Sequence, residues 1–172
     1  QPEIAEASQS VGFTLTEQIF AERGDVAALK KELPIVSTTF DVNVFWMGKR
    51  HLETGRTYTL KLTTQEVTCE VVEFKKVVDA STLETLEDQQ FLAKNDVAEV
   101  TLRTTRPVVF DLFGSIPTTG RFVLVDGYDV CGGGIITTYT PSKTDRLRDE
   151  VRHRDFHWLK SDIKPEERAY RN

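Results

Sequence analysis

The sequence predicts an all-β protein whose main part is an antiparallel closed β-barrel. From about residue 38 to 140, apolar and polar residues alternate with the period of a strand. Turn signals such as Gly48, Asn95-Asp96 and Gly120 divide this region into six or seven short strands, with no strong helical pattern between them. A closed barrel leaves no open sheet edge, which suits so many short strands in one region.

Individual segments of this region show the alternation expected of strands. In TTFDVNVFW, four apolar residues share one face of the predicted strand: Phe40, Val42, Val44 and Trp46. In EVTCEVVEFKK, the apolar phase runs to Val71 and resumes at Val72 and Phe74, so it shifts by one residue. Such a shift predicts a bulge that bends the sheet toward closure. The other predicted strands are RTYTLKLTT, DVAEVTLRT, RPVVFD, GRFVLVD and GIITTY.

The two ends of the chain differ from this region. Residues 11–28 are too few for a domain, and from Pro141 the sequence becomes densely charged, which predicts a solvated and partly helical tail. Pro165, followed by two glutamates, has the form of a helix start. Because the first residue is Gln1 and the last, Asn172, directly follows the helix-like PEERAYR, we expect both ends to lie inside a longer protein.

Composition limits the partners and the compartment. The net charge of −5 disfavours a general affinity for nucleic acid or for an anionic membrane. No apolar run approaches the length of a membrane span, and the first ten residues do not resemble a secretory leader, so the prediction is a cytoplasmic chain without a membrane partner. In that compartment Cys69 and Cys131, both in predicted strands, are expected to be core thiols.

The glycine cluster Gly132–Gly134 raises the question of a phosphate-binding loop. Such a loop needs a lysine and a hydroxyl residue at the start of a helix. Here Ile135 and Ile136 follow instead, and branched side chains favour a strand. The cluster is therefore predicted to connect strands, with glycine at positive φ or in a bulge, and no nucleotide site is expected in this chain.

No catalytic or metal-binding residue is expected, although some residues have a suggestive spacing. His153 and His157 share a helix face with Asp155 nearby, but their surroundings are fully charged and no H-E-x-x-H pattern supports a metal. A surface role is predicted for His51. The acidic pairs Glu84/Glu87 and Asp126/Asp129 are explained by backbone capping in turns, and no G-x-S-x-G elbow occurs.

A modest basic cluster remains as a candidate binding site. Arg103 and Arg106 lie close in sequence, and Arg121 is expected near them on the barrel surface. Without an interleaved aromatic stripe, nucleic acid is not the expected partner. These three arginines are the candidate residues for docking another protein, and plain solvation on the barrel surface is the alternative.

An ordered series of segments then resembles a known family. RGDVAA, FDVNVFW, LETGRTYTLKLTTQEVTCEV, DASTLE, LAKNDVAEVTLRTTRPVVFD, TGRFVLVD and GGGII follow each other as in the carboxy-terminal barrel of GTPases such as elongation factor Tu. Within that superfamily the series is most similar to the large, GTP-binding subunit of sulfate adenylyltransferase. The tail HWLKSDIKPEERAYRN is similar to the stretch that leads into adenylylsulfate kinase in bifunctional proteins, with His157, Trp158, Arg168 and Asn172 at comparable places.

The resemblance implies three parts and a non-catalytic role. Residues 1–33 would be the remnant of a domain 2-like barrel, 34–140 a domain 3-like barrel and 141–172 a linker toward a kinase. GTP, ATP and Mg²⁺ would be bound elsewhere in the parent enzyme, so no cofactor is expected here. The implied partners are the GTPase domain of the same parent chain and the small subunit of sulfate adenylyltransferase. A tRNA-binding barrel of an elongation factor, or a stand-alone binding module, are the alternatives.

Overall fold

The computed structural model describes residues 4–6, 9–15, 20–29, 31–86 and 89–141, and these contain nine β-strands and no helix. The strands are β1 (Ile35–Trp46), β2 (Leu52–Glu53), β3 (Thr57–Leu62), β4 (Gln65–Val78), β5 (Thr85–Leu86), β6 (Phe91–Leu92), β7 (Val97–Phe110), β8 (Arg121–Asp126) and β9 (Asp129–Tyr139). The prediction of a partly helical tail falls on residues outside those described.

Six long strands close into a barrel. Their order is β3-β8-β9-β1-β7-β4, and β4 pairs back with β3. Every neighbouring pair of strands is antiparallel. The short β5 pairs with the last two residues of β4. The strands β2 and β6 form a separate two-stranded ribbon. This arrangement confirms the predicted all-β closed barrel; the predicted part boundaries at 33/34 and 140/141 stay predictions.

The core fills the barrel with the side chains that the alternation assigned to it. The four apolar residues of β1 that were predicted to share a face are all fully buried: Phe40, Val42, Val44 and Trp46. They pack with inward residues of every other barrel strand, such as Leu60, Cys69, Leu102, Leu124 and Ile136. Both cysteines are buried and free, as the sequence predicted. Burial raises the pKa of the Cys69 thiol to about 12.

The predicted bulge in β4 is present, but its inward residues differ from the prediction. The register against β7 shifts between Val71 and Glu73, and again between Phe74 and Lys76. Val72, which the sequence placed on the resumed apolar face, is exposed, while Phe74 is buried. The extra residue of the first bulge turns Val72 outward, because two residues of the bulged strand face one on the partner strand.

The glycine cluster is not a connecting loop, so that prediction is wrong. Gly132, Gly133 and Gly134 lie inside β9 and pair with Trp46, Phe45 and Val44 of β1, and none of them has a positive φ. The turn between β8 and β9 is made by Gly127, with a φ of 66°. Two of the three positions lack space for a side chain: a Cβ on Gly132 would lie 2.7 Å from Trp46 Cε3, and one on Gly134 would overlap the Asn43 carbonyl oxygen.

One carboxylate is buried outside the apolar core. Asp41 on β1 is only 5% exposed, and its Oδ1 accepts a hydrogen bond of 2.7 Å from the Thr101 hydroxyl. Its Oδ2 lies 2.6 Å from Lys75 Nζ, so the lysine of β4 reaches across β7 to cover it. This hydrogen bond to Asp41 is the main cause that raises the pKa of Lys75. The pair therefore joins strands that are not neighbours in the barrel.

Replacing Lys75 with methionine is expected to lower the free energy of unfolding by about 1–3 kcal/mol, because the Asp41 carboxylate loses its charged partner. The folded-state pKa of Lys75 lies above its ordinary value of 10.5. The stabilisation is then fully present below that value and is lost as the pH rises through the folded-state pKa. Urea unfolding at increasing pH measures both effects.

Lys61→Met is the matched control, because Lys61 and its partner Glu66 are both well exposed and lie 3.3 Å apart. Such a pair contributes about 0–1 kcal/mol. Equal losses in the two variants would show that Lys75 does not stabilise the buried carboxylate.

Candidate docking site

The part of the chain before the barrel forms a groove with the barrel wall. The groove has a volume of about 590 Å³. One side is the amino-terminal segment, with Phe13, Leu15, Phe20 and residues 21–27, and the other side is Gln65 with residues 106–109. We call this feature the amino-terminal groove.

A tight turn places the amino-terminal segment against the barrel. The Glu22 N–H donates to Asp25 Oδ2 at 2.8 Å, and the Asp25 N–H donates to the Glu22 carbonyl oxygen at 3.1 Å. Gly24 in this turn has a φ of 104°, a conformation that residues with a side chain rarely adopt. A Cβ on Gly24 would lie 3.5 Å from Gln65 Cγ, so the turn rests on the start of β4.

The barrel side of the groove is held by one glutamine side chain. Regular pairing of β4 with β7 ends at Thr104 and does not continue along β7 to Val109. There Gln65 Nε2 donates to the Val109 carbonyl oxygen at 2.7 Å, and the Val109 N–H donates to Gln65 Oε1 at 2.8 Å. The amide replaces two ladder hydrogen bonds where the backbones have separated. No sequence pattern pointed to this role for Gln65.

Several apolar side chains of the amino-terminal segment face solvent. Phe20 is 91% exposed and Phe13 73%. The other exposed large apolar residues described before the barrel are Ile4, Val11, Leu15, Val26, Leu29 and Leu33. Exposed apolar groups concentrated in one part of a chain are typical of surfaces that contact another protein surface.

One of the three candidate arginines lines the groove, and a second lies on the same strand. Arg106 lines it and donates from Nη2 to the Glu66 carbonyl oxygen at 2.7 Å. Arg103, on the same strand, lies 3.6 Å from the Glu70 carboxylate, and both side chains of that pair are well exposed. The guanidinium group of Arg103 is therefore available to a partner at modest cost, because exposed ion pairs contribute little.

The third arginine is elsewhere. Arg121 begins β8, which is three strands from β7 in either direction around the barrel. Its Nε donates to the Pro117 carbonyl oxygen at 2.9 Å. Arg103 and Arg106 share β7, whereas Arg121 lies on a strand that is not a neighbour of β7, so the expected proximity of Arg121 is wrong. A docking role for each arginine stays a prediction.

Two further polar side chains that the sequence singled out are engaged in structural contacts. Arg56 Nη2 donates to both carboxylate oxygens of Asp126, at 2.6 and 2.8 Å, so Asp126 does not cap its own turn. The His51 ring stacks on Phe91 with 4.7 Å between ring centroids. Among the described residues no three His, Cys, Asp or Glu side chains converge as metal ligands; His153, Asp155 and His157 lie outside that part of the chain.

The fold defines the class of protein: a closed six-stranded antiparallel β-barrel domain. A family model described as "GTP-eEF1A C-terminal domain-like" matches residues 39–137, more than half of the chain, and the chain belongs to that family. The fold is also similar to that of Sup35 bound to GDP, with a TM-score of 0.59 and 19% identity over 64% of this chain and 28% of the Sup35 chain.

Curated relatives come from two kinds of protein. Sulfate adenylyltransferase subunit 1 of Laribacter hongkongensis is 34% identical over 81% of this chain and 29% of the relative. The same subunit of Shewanella oneidensis is 32% identical over 73% of this chain and 26% of the relative. Elongation factor 1-alpha of Aeropyrum pernix is 31% identical over 84% of this chain and 34% of the relative. The chain thus spans about a quarter to a third of the length of these relatives.

The described residues contain no helix of the length and apolarity that crossing a bilayer requires.

Proposed function

We propose that this chain is the carboxy-terminal region of the GTP-binding subunit of a sulfate adenylyltransferase, and that it docks other parts of the enzyme rather than catalysing a reaction. It acts in the cytoplasm, and its tail leads toward an adenylylsulfate kinase domain. GTP, ATP and Mg²⁺ are bound by other domains of that enzyme. The amino-terminal groove, with its exposed apolar side chains, is the observation that carries the docking role.

The groove suits a protein partner in both shape and chemistry. Its rim combines large apolar side chains with the guanidinium group of Arg106, and aromatic and arginine residues dominate the energetics of protein interfaces. The apolar side chains of the amino-terminal segment would pack on the preceding part of the parent chain, including its GTPase domain. The barrel surface that carries Arg103 and Arg106 would then remain accessible for binding the small subunit. The similarity to sulfate adenylyltransferase subunit 1 supports this assignment.

The double variant Arg103→Ala/Arg106→Ala is expected to weaken binding of the sulfate adenylyltransferase small subunit by about tenfold or more, which corresponds to about 1.4 kcal/mol. The loss of two exposed arginines removes charge-assisted contacts to the partner without disturbing the core. Isothermal titration calorimetry of this chain with the small subunit from the same source measures the change.

Arg121→Ala is the matched control, since it removes the same side chain from a strand on the other side of the barrel. It should bind within about twofold of the unchanged chain, since a contact outside an interface contributes little. The absence of saturable binding by the unchanged chain would refute small-subunit docking. GTP hydrolysis that copurifies with the chain would refute the non-catalytic role.

A labelled-tRNA shift assay separates this proposal from the elongation-factor alternative, which the similarity to elongation factor 1-alpha brings into consideration. The net charge of −5 argues for no shift even at low salt. A saturable shift that weakens with salt, combined with no small-subunit binding, would replace the proposed function by a tRNA-binding one.

A further inference from the structure

A second depression lies at the far end of β1 from the amino-terminal groove. It has a volume of about 640 Å³ and lies between the loop 47–50 and the β8–β9 hairpin, residues 126–131. Met47 and Val130 contribute apolar surface to it and are 45% and 58% exposed. We call this feature the hairpin depression. The groove, in contrast, borders Val108 and Val109, which pair with the first residues of β1.

The hairpin beside the depression presents a projecting tyrosine. Tyr128 at its tip is completely exposed. Gly127, with a φ of 66°, permits the tight turn, and the two hydrogen bonds from Arg56 to Asp126 hold the base of the hairpin. A tyrosine held on a fixed turn loses little conformational freedom when it is buried in an interface, so it is well suited to act as an anchor.

Opposite charges line the two sides of the depression. Lys49 and Arg50 come from the loop, and Asp129 comes from the hairpin. None of these three takes part in the four ion pairs found among the described residues. Asp126 is neutralised by Arg56 and is not available. The depression therefore carries cations on its loop side and a carboxylate on its hairpin side, and none of the ion pairs among the described residues uses them.

A row of apolar residues lies on the outer face of the barrel, on the strands that lead to the depression. Phe45 of β1 and Val123 of β8 both pair with Gly133 of β9, so the three residues form one row across adjacent strands. Opposed residues of an antiparallel sheet point to the same face, and Phe45 and Val123 are 42% and 37% exposed. Because Gly133 has no side chain, the row is a shallow trough that runs from the depression over the barrel wall.

We infer that this surface binds a second copy of the same chain in a two-fold symmetric dimer. Tyr128 of each copy enters the hairpin depression of the other, and Asp129 of each copy meets Lys49 and Arg50 of the other. A two-fold interface must be self-complementary, and here one surface supplies both the projection and the depression, and both signs of charge. The inference does not depend on the proposed function, because the groove lies at the other end of β1.

Two charge-reversal variants test the arrangement. Lys49→Glu/Arg50→Glu and Asp129→Lys each place like charges opposite each other at both symmetric contacts, so each is expected to weaken the dimer by about tenfold or more. Mixed in equal amounts, the two variants form a heterodimer whose contacts are all attractive, and the dimer should return. Sedimentation velocity over roughly a hundredfold range of concentration measures the population of dimer.

The controls distinguish this dimer from other forms of association. Lys76→Glu, an exposed charge reversal on β4, should leave the dimer unchanged. A chain that stays monomeric at every concentration overturns the inference. A dimer that persists in both charge-reversal variants but is lost in Phe20→Ser also overturns the inference. That result would show that the amino-terminal segment forms the contact. Failure of the mixed variants to dimerise also overturns it, since a two-fold contact requires that rescue; thermal unfolding of each variant confirms that it is folded.

Discussion

Replacing Gly134 with alanine is expected to lower the free energy of unfolding by about 3 kcal/mol, which is a large share of the stability of a typical domain. Gly134 pairs with Val44 on one side and Phe122 on the other. A Cβ at this position would overlap the Asn43 carbonyl oxygen and lie 2.8 Å from Phe122 Cζ. A backbone oxygen cannot move aside without breaking the pairing of β1 with β9. The midpoint and slope of urea unfolding measure the loss.

Gly133→Ala is the control for this effect. It has the same chemistry one residue earlier, but its Cβ would lie 3.3 Å from the nearest atom, the Phe122 carbonyl oxygen, on the outer face of the barrel. A small displacement accommodates it, and alanine also reduces the entropy of the unfolded chain, so a change below about 1 kcal/mol is expected. If Gly134→Ala were equally mild, close packing would not be the reason for glycine in β9.

The second large effect is expected from Gln65→Leu, which should lower the free energy of unfolding by about 2–4 kcal/mol. Leucine has a similar size, but it leaves both the N–H and the carbonyl oxygen of Val109 without their partner, and each unpaired group costs about 1–3 kcal/mol when it is buried. Gln65 itself is only 8% exposed, so water replaces the lost bonds poorly. Urea unfolding gives the loss, and hydrogen exchange of the Val109 amide should accelerate.

Two further variants isolate the role of the amide. Gln90→Leu makes the same change at an exposed position and should leave the stability nearly unchanged. Gln65→Glu keeps the acceptor for the Val109 N–H but loses the donor to its carbonyl oxygen until the carboxyl group is protonated. Stability of Gln65→Glu relative to the unchanged chain should therefore improve at acidic pH. A loss in Gln65→Glu that is the same at every pH would contradict the paired hydrogen bonds.

Much of the barrel could be predicted because its strands carry their signal locally. The alternation in β1 assigned Phe40, Val42, Val44 and Trp46 to the core, and all four are fully buried. The phase shift in β4 located a bulge. The phase shift did not show which residue would turn outward, so Val72 was assigned to the wrong face. The exact position of the bulge depends on where the ladder with β7 is interrupted.

The candidate site was harder to predict. Arg103 and Arg106 were found because they are close in sequence on one strand, whereas the position of Arg121 depends on the order of strands around the barrel. The groove was not predicted at all, since it joins a segment before the barrel to Gln65 and to residues 106–109. Neither the turn at Gly24 nor the amide pair at Val109 has a signature in the sequence beyond a single glycine and a single glutamine.

The sequence by itself determined the class of fold, the faces of the long strands and the burial of both cysteines, because alternation along a strand is a property of neighbouring residues. Only the tertiary structure decided the close contacts. It showed that Gly132 and Gly134 make room for Trp46 and for the Asn43 carbonyl, and that Lys75 covers Asp41 from across β7. These contacts join residues far apart in the chain, and their distances follow from strand order and register, which closure of the barrel sets as a whole.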